Sequence, residues 1–164
     1  VAAVPYIEEY TVEGFVRASA LELWNLLSDP IDYARSRKDI TEIEVLDGVM
    51  GEKGCRTRTT HKVGKTDFIV TEDTLEADKP RLLVKRALNA QMTSTSRWEI
   101  EDADGGAKVT VTSTLEASLG MVQRWFITRQ AMQRERSAID AVREQCEEYS
   151  VFFDKRRTNL GFDI

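Results

Sequence analysis

The chain has 164 residues, 41% of them hydrophobic and 31% charged, with a formal net charge of −5. That length holds one ordinary domain with a substantial core, and the composition is neither membrane-like nor disordered. The acidic balance argues against a nucleic-acid partner, because phosphate binding needs a basic field. The short basic stretches, Arg35 with Arg37-Lys38 and Lys155-Arg156-Arg157, read as solvated surface. Cys55 and Cys146 lie far apart with no metal-ligand spacing, and one histidine leaves a zinc site short of its usual ligands. The expectation is two free thiols in a reducing cytoplasm, with no metal and no cofactor. No apolar run approaches the roughly 20 residues that span a bilayer, so no integral membrane segment is expected. The opening Val1-Ala2-Ala3-Val4-Pro5 is too short for a signal peptide.

Residues 6–16 read as a first strand, with Tyr10, Val12 and Val16 on one side of a period-2 pattern. Ser19-Ala20-Leu21-Glu22 has the spacing of a capping box and opens a short helix with Leu23, Trp24, Leu26 and Leu27 on its apolar side. Asp29-Pro30 ends that helix, since proline disfavours helical geometry in the residue before it. A short irregular or helical piece around Tyr33 follows. The middle of the chain then reads as strands: Ile43, Val45 and Val49 flank a turn at Asp47-Gly48, and residues 55–63 alternate up to a hairpin at Gly64. Strands at 66–75 and 82–88 come next, and 91–100 and 108–115 form a last hairpin that turns at Asp102 to Gly106. Evenly spaced strands with tight turns predict one antiparallel meander.

A helix of about 30 residues closes the chain, over 121–153, with Trp125, Met132, Ile139, Cys146 and Phe153 recurring every seven residues. A lone helix of that length needs a partner surface, and the sheet is the one available. The expected fold is therefore α+β: a helix grip, in which a curved antiparallel sheet of six to seven strands wraps a long C-terminal helix, with short helices after the first strand. Residues 1–153 form a single ligand-binding domain and 154–164 a tail.

Four stretches carry a family resemblance. Ala20 to Pro30 is similar to a first helix and its stop, and Gly51-Glu52-Lys53-Gly54-Cys55-Arg56 to a glycine-bearing entry to the third strand. Leu75 to Leu83 is similar to a strand–turn–strand with proline, and Trp98-Glu99-Ile100 followed by Gly105 to Thr110 to a last hairpin. In this order and spacing the chain resembles the START-related lipid-transfer superfamily, in particular its bacterial polyketide cyclase/dehydrase group, over roughly residues 6 to 150. The resemblance implies the helix-grip fold and a ligand cavity, and no particular reaction, because binders, transporters, cyclases and chaperone cofactors share the scaffold. It also implies that an enzyme of this kind would use a tyrosine, an arginine and ordered water, for which Tyr33 and Arg86 or Arg58 are the nearest matches. One departure stands out: where the family often has an aromatic residue at the cavity mouth, this chain reads Ala34-Arg35-Ser36-Arg37, with Tyr33 the nearest aromatic.

A sheet wrapped on a helix cannot bring all its inner side chains into contact, so a pocket tends to remain. If Trp98 faces inward, so do Met92, Ser94 and Ser96 by period 2; Val109, Val111, Ser113 and Leu115 share a face on the next strand. His61 shares parity with Cys55, Thr57 and Thr59, so all four face either the cavity or solvent. In the cavity it could serve as a general base; the simpler reading is a surface histidine near the Gly64 hairpin. Arg86 shares parity with Leu82, Val84 and Leu88. On the long helix Trp125 and Met132 line the seam, and Thr128, Glu135 and Arg136 fall on or beside it, as cavity polar groups or as ordinary surface.

Three functions fit this pattern. One is cofactor-free binding of a small hydrophobic molecule that is polyketide-like, aromatic or lipid-like. Another is a polyketide cyclase or aromatase acting by proton transfer and dehydration in the same cavity. The third is a quinone or lipid chaperone or a protein-interaction module. In the first two the partner is a small hydrophobic molecule, and in the third a quinone, a lipid or another protein; a homodimer is allowed, and the expected location is cytoplasmic.

Overall fold

The computed structural model describes residues 6–88 and 92–117, together with Arg136 and Asp140. The elements run β1 (Tyr6–Val16), α1 (Ala20–Ser28), α2 (Pro30–Ser36), β2 (Ile40–Asp47), β3 (Arg56–Val63), β4 (Thr66–Asp78), β5 (Leu82–Leu88), β6 (Met92–Ala103) and β7 (Gly106–Ala117). The seven strands make one antiparallel sheet in the order β1-β7-β6-β5-β4-β3-β2. From β2 to β7 this is the meander expected from the turn spacing. β1 and β2, adjacent in the chain, occupy opposite edges, and α1 and α2 carry the chain from one edge to the other.

The local signals act as their chemistry requires. Ser19 Oγ accepts from Glu22 N at 3.1 Å, and Ser19 N donates to Glu22 Oε2 at 3.3 Å, completing the capping box. Asp29 and Pro30 both stop α1 and start α2: the Asp29 carboxylate accepts from Ile31 N and Asp32 N, and proline stands where its missing N–H costs nothing. Val63 pairs with Thr66, and Ala103 with Gly106, so two-residue loops close both hairpins; Gly64 and Gly105 supply the positive φ each turn needs. Gly106 has a different reason to be glycine. A Cβ there would sit 2.1 Å from the Val16 carbonyl oxygen, so β1 and β7 meet this closely only without a side chain.

The core lies on one face of the sheet. Val12 and Val16 of β1, Leu23, Trp24 and Leu27 of α1, Leu83 of β5, Trp98 and Ile100 of β6, and Val109 and Val111 of β7 form one buried cluster. The N-terminus of α1 is tied to the sheet by Ala20 N, which donates to Asp102 Oδ1 at 2.9 Å. β4 runs to Asp78, beyond the expected end at residue 75, with a register shift between Thr74 and Glu76. Val49 lies past the end of β2 and is exposed. The long helix expected over 121–153 falls outside the described residues except for Arg136 and Asp140, both helical and exposed.

Candidate functional site

On the covered face, the strand register aligns residues into rows that cross the sheet. One row is apolar: Leu83 pairs with Trp98, Trp98 with Val111, and Val111 with Val12. The neighbouring row is polar. Thr74 pairs with Lys85, Lys85 with Ser96, Ser96 with Ser113, and Ser113 with Tyr10. Five strands thus place hydroxyls, an ammonium and a phenol side by side, at the roughly 4.8 Å spacing of neighbouring strands. Thr74, Lys85, Ser113 and Tyr10 are buried and Ser96 is half-buried.

Lys85 is the dominant charge of this row. An ammonium withdrawn from water needs partners, and Glu72 and Tyr33 are among them. Its Nζ lies 3.1 Å from Glu72 Oε1 and 5.2 Å from the centre of the Tyr33 ring, a cation–π distance. Tyr33 reaches this position from α2, and Glu72 from β4, where it pairs with Thr57 on one side and Ala87 on the other. Cys55 is buried nearby, its backbone bonded to Thr74; burial pushes its thiol up, opposed by the charge of Lys85. The thiol is therefore a neutral packing group at neutral pH.

A second polar group lies toward the β3–β4 hairpin. His61 Nδ1 is 3.0 Å from Asp39 Oδ2, and Arg37 grips the same carboxylate through Nε at 3.1 Å and Nη2 at 3.2 Å. The side chains of Arg37 and His61 are only 12% and 15% exposed, so neither is a solvated surface residue. Hydrogen bonding from His61, with Arg37 beside it, holds the Asp39 carboxyl well below the usual carboxylate range against the opposing effect of partial burial.

The expected site residues divide accordingly. Thr57 and Thr59 are buried beside Cys55, so β3 turns that face inward and carries His61 with it; the surface reading of His61 is corrected. Trp98 and Ser113 are buried, and Met92, Ser94, Ser96 and Tyr33 are half-buried. Arg86 and Arg58 are on the opposite face. On β5 the buried parity is Leu83 and Lys85, which turns Arg86 outward into solvent. Arg58 is half in solvent, where its Nη2 bonds Glu44 at 2.6 Å. Arg37, taken as surface, belongs to the histidine cluster. Trp125, Thr128, Met132 and Glu135 lie outside the described residues; Arg136 is exposed.

Sequence reading missed Lys85, Glu72 and Asp39. The parity Leu82, Val84, Leu88 is the more apolar side of β5 and points the wrong way. Cross-strand pairing was the usable signal: a register that sets Leu83 against an inward Trp98 sets Lys85 against Ser96. Among the described residues no group of three His, Cys, Asp or Glu could hold a metal, and no helix is long and apolar enough to cross a membrane.

The family described as polyketide cyclase / dehydrase and lipid transport matches residues 9–147. No curated protein sequence matches the chain. Among solved structures, the chain is similar to Zhui aromatase/cyclase from Streptomyces sp. R1128, at 16% identity and a TM-score of 0.70 over 87% of this chain and 94% of that one. It is similar to Ara h 8.0201 at 14% identity and a TM-score of 0.74, over 87% of this chain and 99% of that one. It is also similar to the di-domain ARO/CYC BexL from the BE-7585A biosynthetic pathway, at 13% identity and a TM-score of 0.73, covering 86% of this chain and 50% of that one. Likeness at these identities shows the fold, which is the helix grip.

Proposed function

The chain belongs to the polyketide cyclase/dehydrase and lipid transport family, and from that premise we propose that it binds a small, largely apolar, ring-containing molecule on the covered face of its sheet. The ligand lies on the half-buried part of that face, at Met92, Ser94, Ser96 and Tyr33, and turns a carbonyl, enol or phenol oxygen toward Lys85. The polar row centred on Lys85 carries this reading. Hydroxyls, a phenol and an ammonium set in one row across the sheet suit a ligand with one oxygenated edge.

Trp98 gives the assay its signal. Titration with 2-acetonaphthone, read by tryptophan quenching, is expected to show saturable binding tighter than that of 2-ethylnaphthalene, which has the shape without the oxygen. Ser96→Phe, which projects a ring into the row, is expected to abolish binding of both while the domain stays folded. A Ser96→Phe variant that binds both as the parent does would overturn this placement.

The cyclase reading is favoured by one specific observation, the Asp39–His61 pair. A positioned histidine–carboxylate pair is what proton transfer requires and what simple binding does not.

A further inference from the structure

Lys85 is held in an ion pair, and the pair bears on which ligands the covered face accepts. Glu72 meets Nζ from the neighbouring strand β4, and Tyr33 covers the ammonium from α2. The positive charge is thus matched within the protein before any ligand arrives. Toward the β3–β4 hairpin the arrangement recurs, with Arg37 bonded to the Asp39 carboxylate.

The surrounding field has the same sign. Burial raises the pKa of the nearby Cys55 thiol; Lys85 opposes that shift, and Glu72, Asp47 and Asp73 add to it. Three carboxylates therefore act there against Lys85, one of them, Asp73, itself bonded by Arg56. The chain as a whole carries a net charge of −5.

Geometry decides what this does to a ligand. A ligand oxygen bonded to Nζ lies about 3 Å from it. If that oxygen and Glu72 Oε1 keep the tetrahedral angle of the ammonium, they are about 5 Å apart. Coulomb energy falls as the inverse of distance, so Glu72 cancels about three-fifths of the attraction an anionic oxygen would feel. A carboxylate leaving water needs that attraction in full, because its desolvation is costly. A neutral carbonyl gives up far less hydration and still accepts a strong hydrogen bond from the ammonium.

We propose that Glu72 is the specificity-determining residue of the covered face, and that the ligand is an uncharged ketone, phenol or ester rather than a carboxylic acid. The inference rests on the binding reading above, which brings a ligand oxygen to Lys85, and adds the charge that this ligand does not carry. Removing the Glu72 charge leaves the ammonium without its counter-ion, and a ligand carboxylate can then take that place. An ionised fatty or aromatic acid is excluded by charge and not by shape.

The test compares 2-acetonaphthone, methyl 2-naphthoate and 2-naphthoate by isothermal titration calorimetry at neutral pH, where the acid is ionised. The three share one ring system, and the ester separates the effect of charge from that of size. The parent is expected to bind ketone and ester with similar affinity, and naphthoate roughly 10–100-fold more weakly. Glu72→Gln keeps the shape of the side chain without its charge. It should move the naphthoate-to-ketone affinity ratio by roughly 10–100-fold in favour of naphthoate. A merely structural Glu72 would change all three affinities together and leave that ratio at the parent's value, which overturns the proposal. The comparison within the parent depends on no variant. A parent that binds naphthoate as tightly as the ester overturns the proposal and leaves the binding reading standing. A parent that binds none of the three overturns both.

Discussion

Lys85 Nζ lies 3.1 Å from Glu72 Oε1, with 9% of the lysine side chain and 25% of the glutamate side chain exposed. The pair is asymmetric: the cation is withdrawn from water and the anion keeps some contact with it. Removing the cation leaves a partly buried carboxylate without its partner, and removing both charges leaves a shape that apolar and amide groups can fill. Lys85→Met should therefore cost about 1–3 kcal/mol, below the 3–5 kcal/mol typical of a fully buried pair, and adding Glu72→Gln should recover part of the loss. Urea unfolding of the two single variants and the double variant measures the coupling. A double variant no more stable than Lys85→Met would mean that the two charges do not depend on one another.

Two adjacent glycines should respond differently to alanine. Gly105 has a positive φ with nothing near its missing Cβ, so Gly105→Ala meets only backbone strain, about 1–2 kcal/mol. Gly106 has an ordinary φ, but its Cβ would overlap the Val16 carbonyl, which is backbone and cannot rotate away. Gly106→Ala must shift β1 against β7 and is expected to be the costlier change, by about 1–3 kcal/mol of overpacking or more. Melting temperatures of the two variants decide the order; equal losses would place β1 farther from β7 than described.

Asp39 links stability to acid. Its folded carboxyl is held below its unfolded value, chiefly by the bond to His61. The stabilisation is therefore present above the ordinary aspartate pKa of about 3.9 and is lost as pH falls from there toward the folded value. The parent should be more stable than Asp39→Asn at neutral pH, and the gap should narrow as pH drops below about 4. Thermal melts of both proteins from pH 7 downward give the curve. A gap that stays constant through the acid range would mean that Asp39 does not have a depressed pKa.

Cys55 should be a slow thiol. It is 2% exposed, and burial raises its pKa, so the reactive thiolate is scarce at neutral pH. Iodoacetamide treatment of the native protein followed by peptide mass spectrometry should leave the Cys55 peptide largely unlabelled until urea is added. Full labelling under native conditions would place β3 with its other face inward and, with it, His61 in solvent.

What was legible in the chain was everything set by near neighbours. The Ser19–Glu22 box, the Asp29-Pro30 junction and the glycines at 64 and 105 act within four residues, and each produced the cap or turn that its chemistry requires. Period-2 patterning placed β1, β6 and β7 correctly because one face of each is plainly the more apolar: Tyr10, Val12 and Val16, then Trp98 and Ile100, then Val109 and Val111. The same reasoning failed on β5, where both faces carry apolar residues and the side with the lysine is buried. It left β3 undecided, since Thr57, Thr59 and His61 are no more apolar than Arg56, Arg58 and Thr60.

Those cases belong to the tertiary structure for a physical reason. A polar side chain is buried when a partner waits for it, and partners come from across the sheet or from a distant loop. Glu72 meets Lys85 through the β4–β5 register, and Asp39 meets His61 across 22 residues of chain. The sequence by itself determined the strands, turns, caps and the greasy half of the covered face. Only folding determined which charges share that face, because burying them is favourable only in the pairs that the register creates.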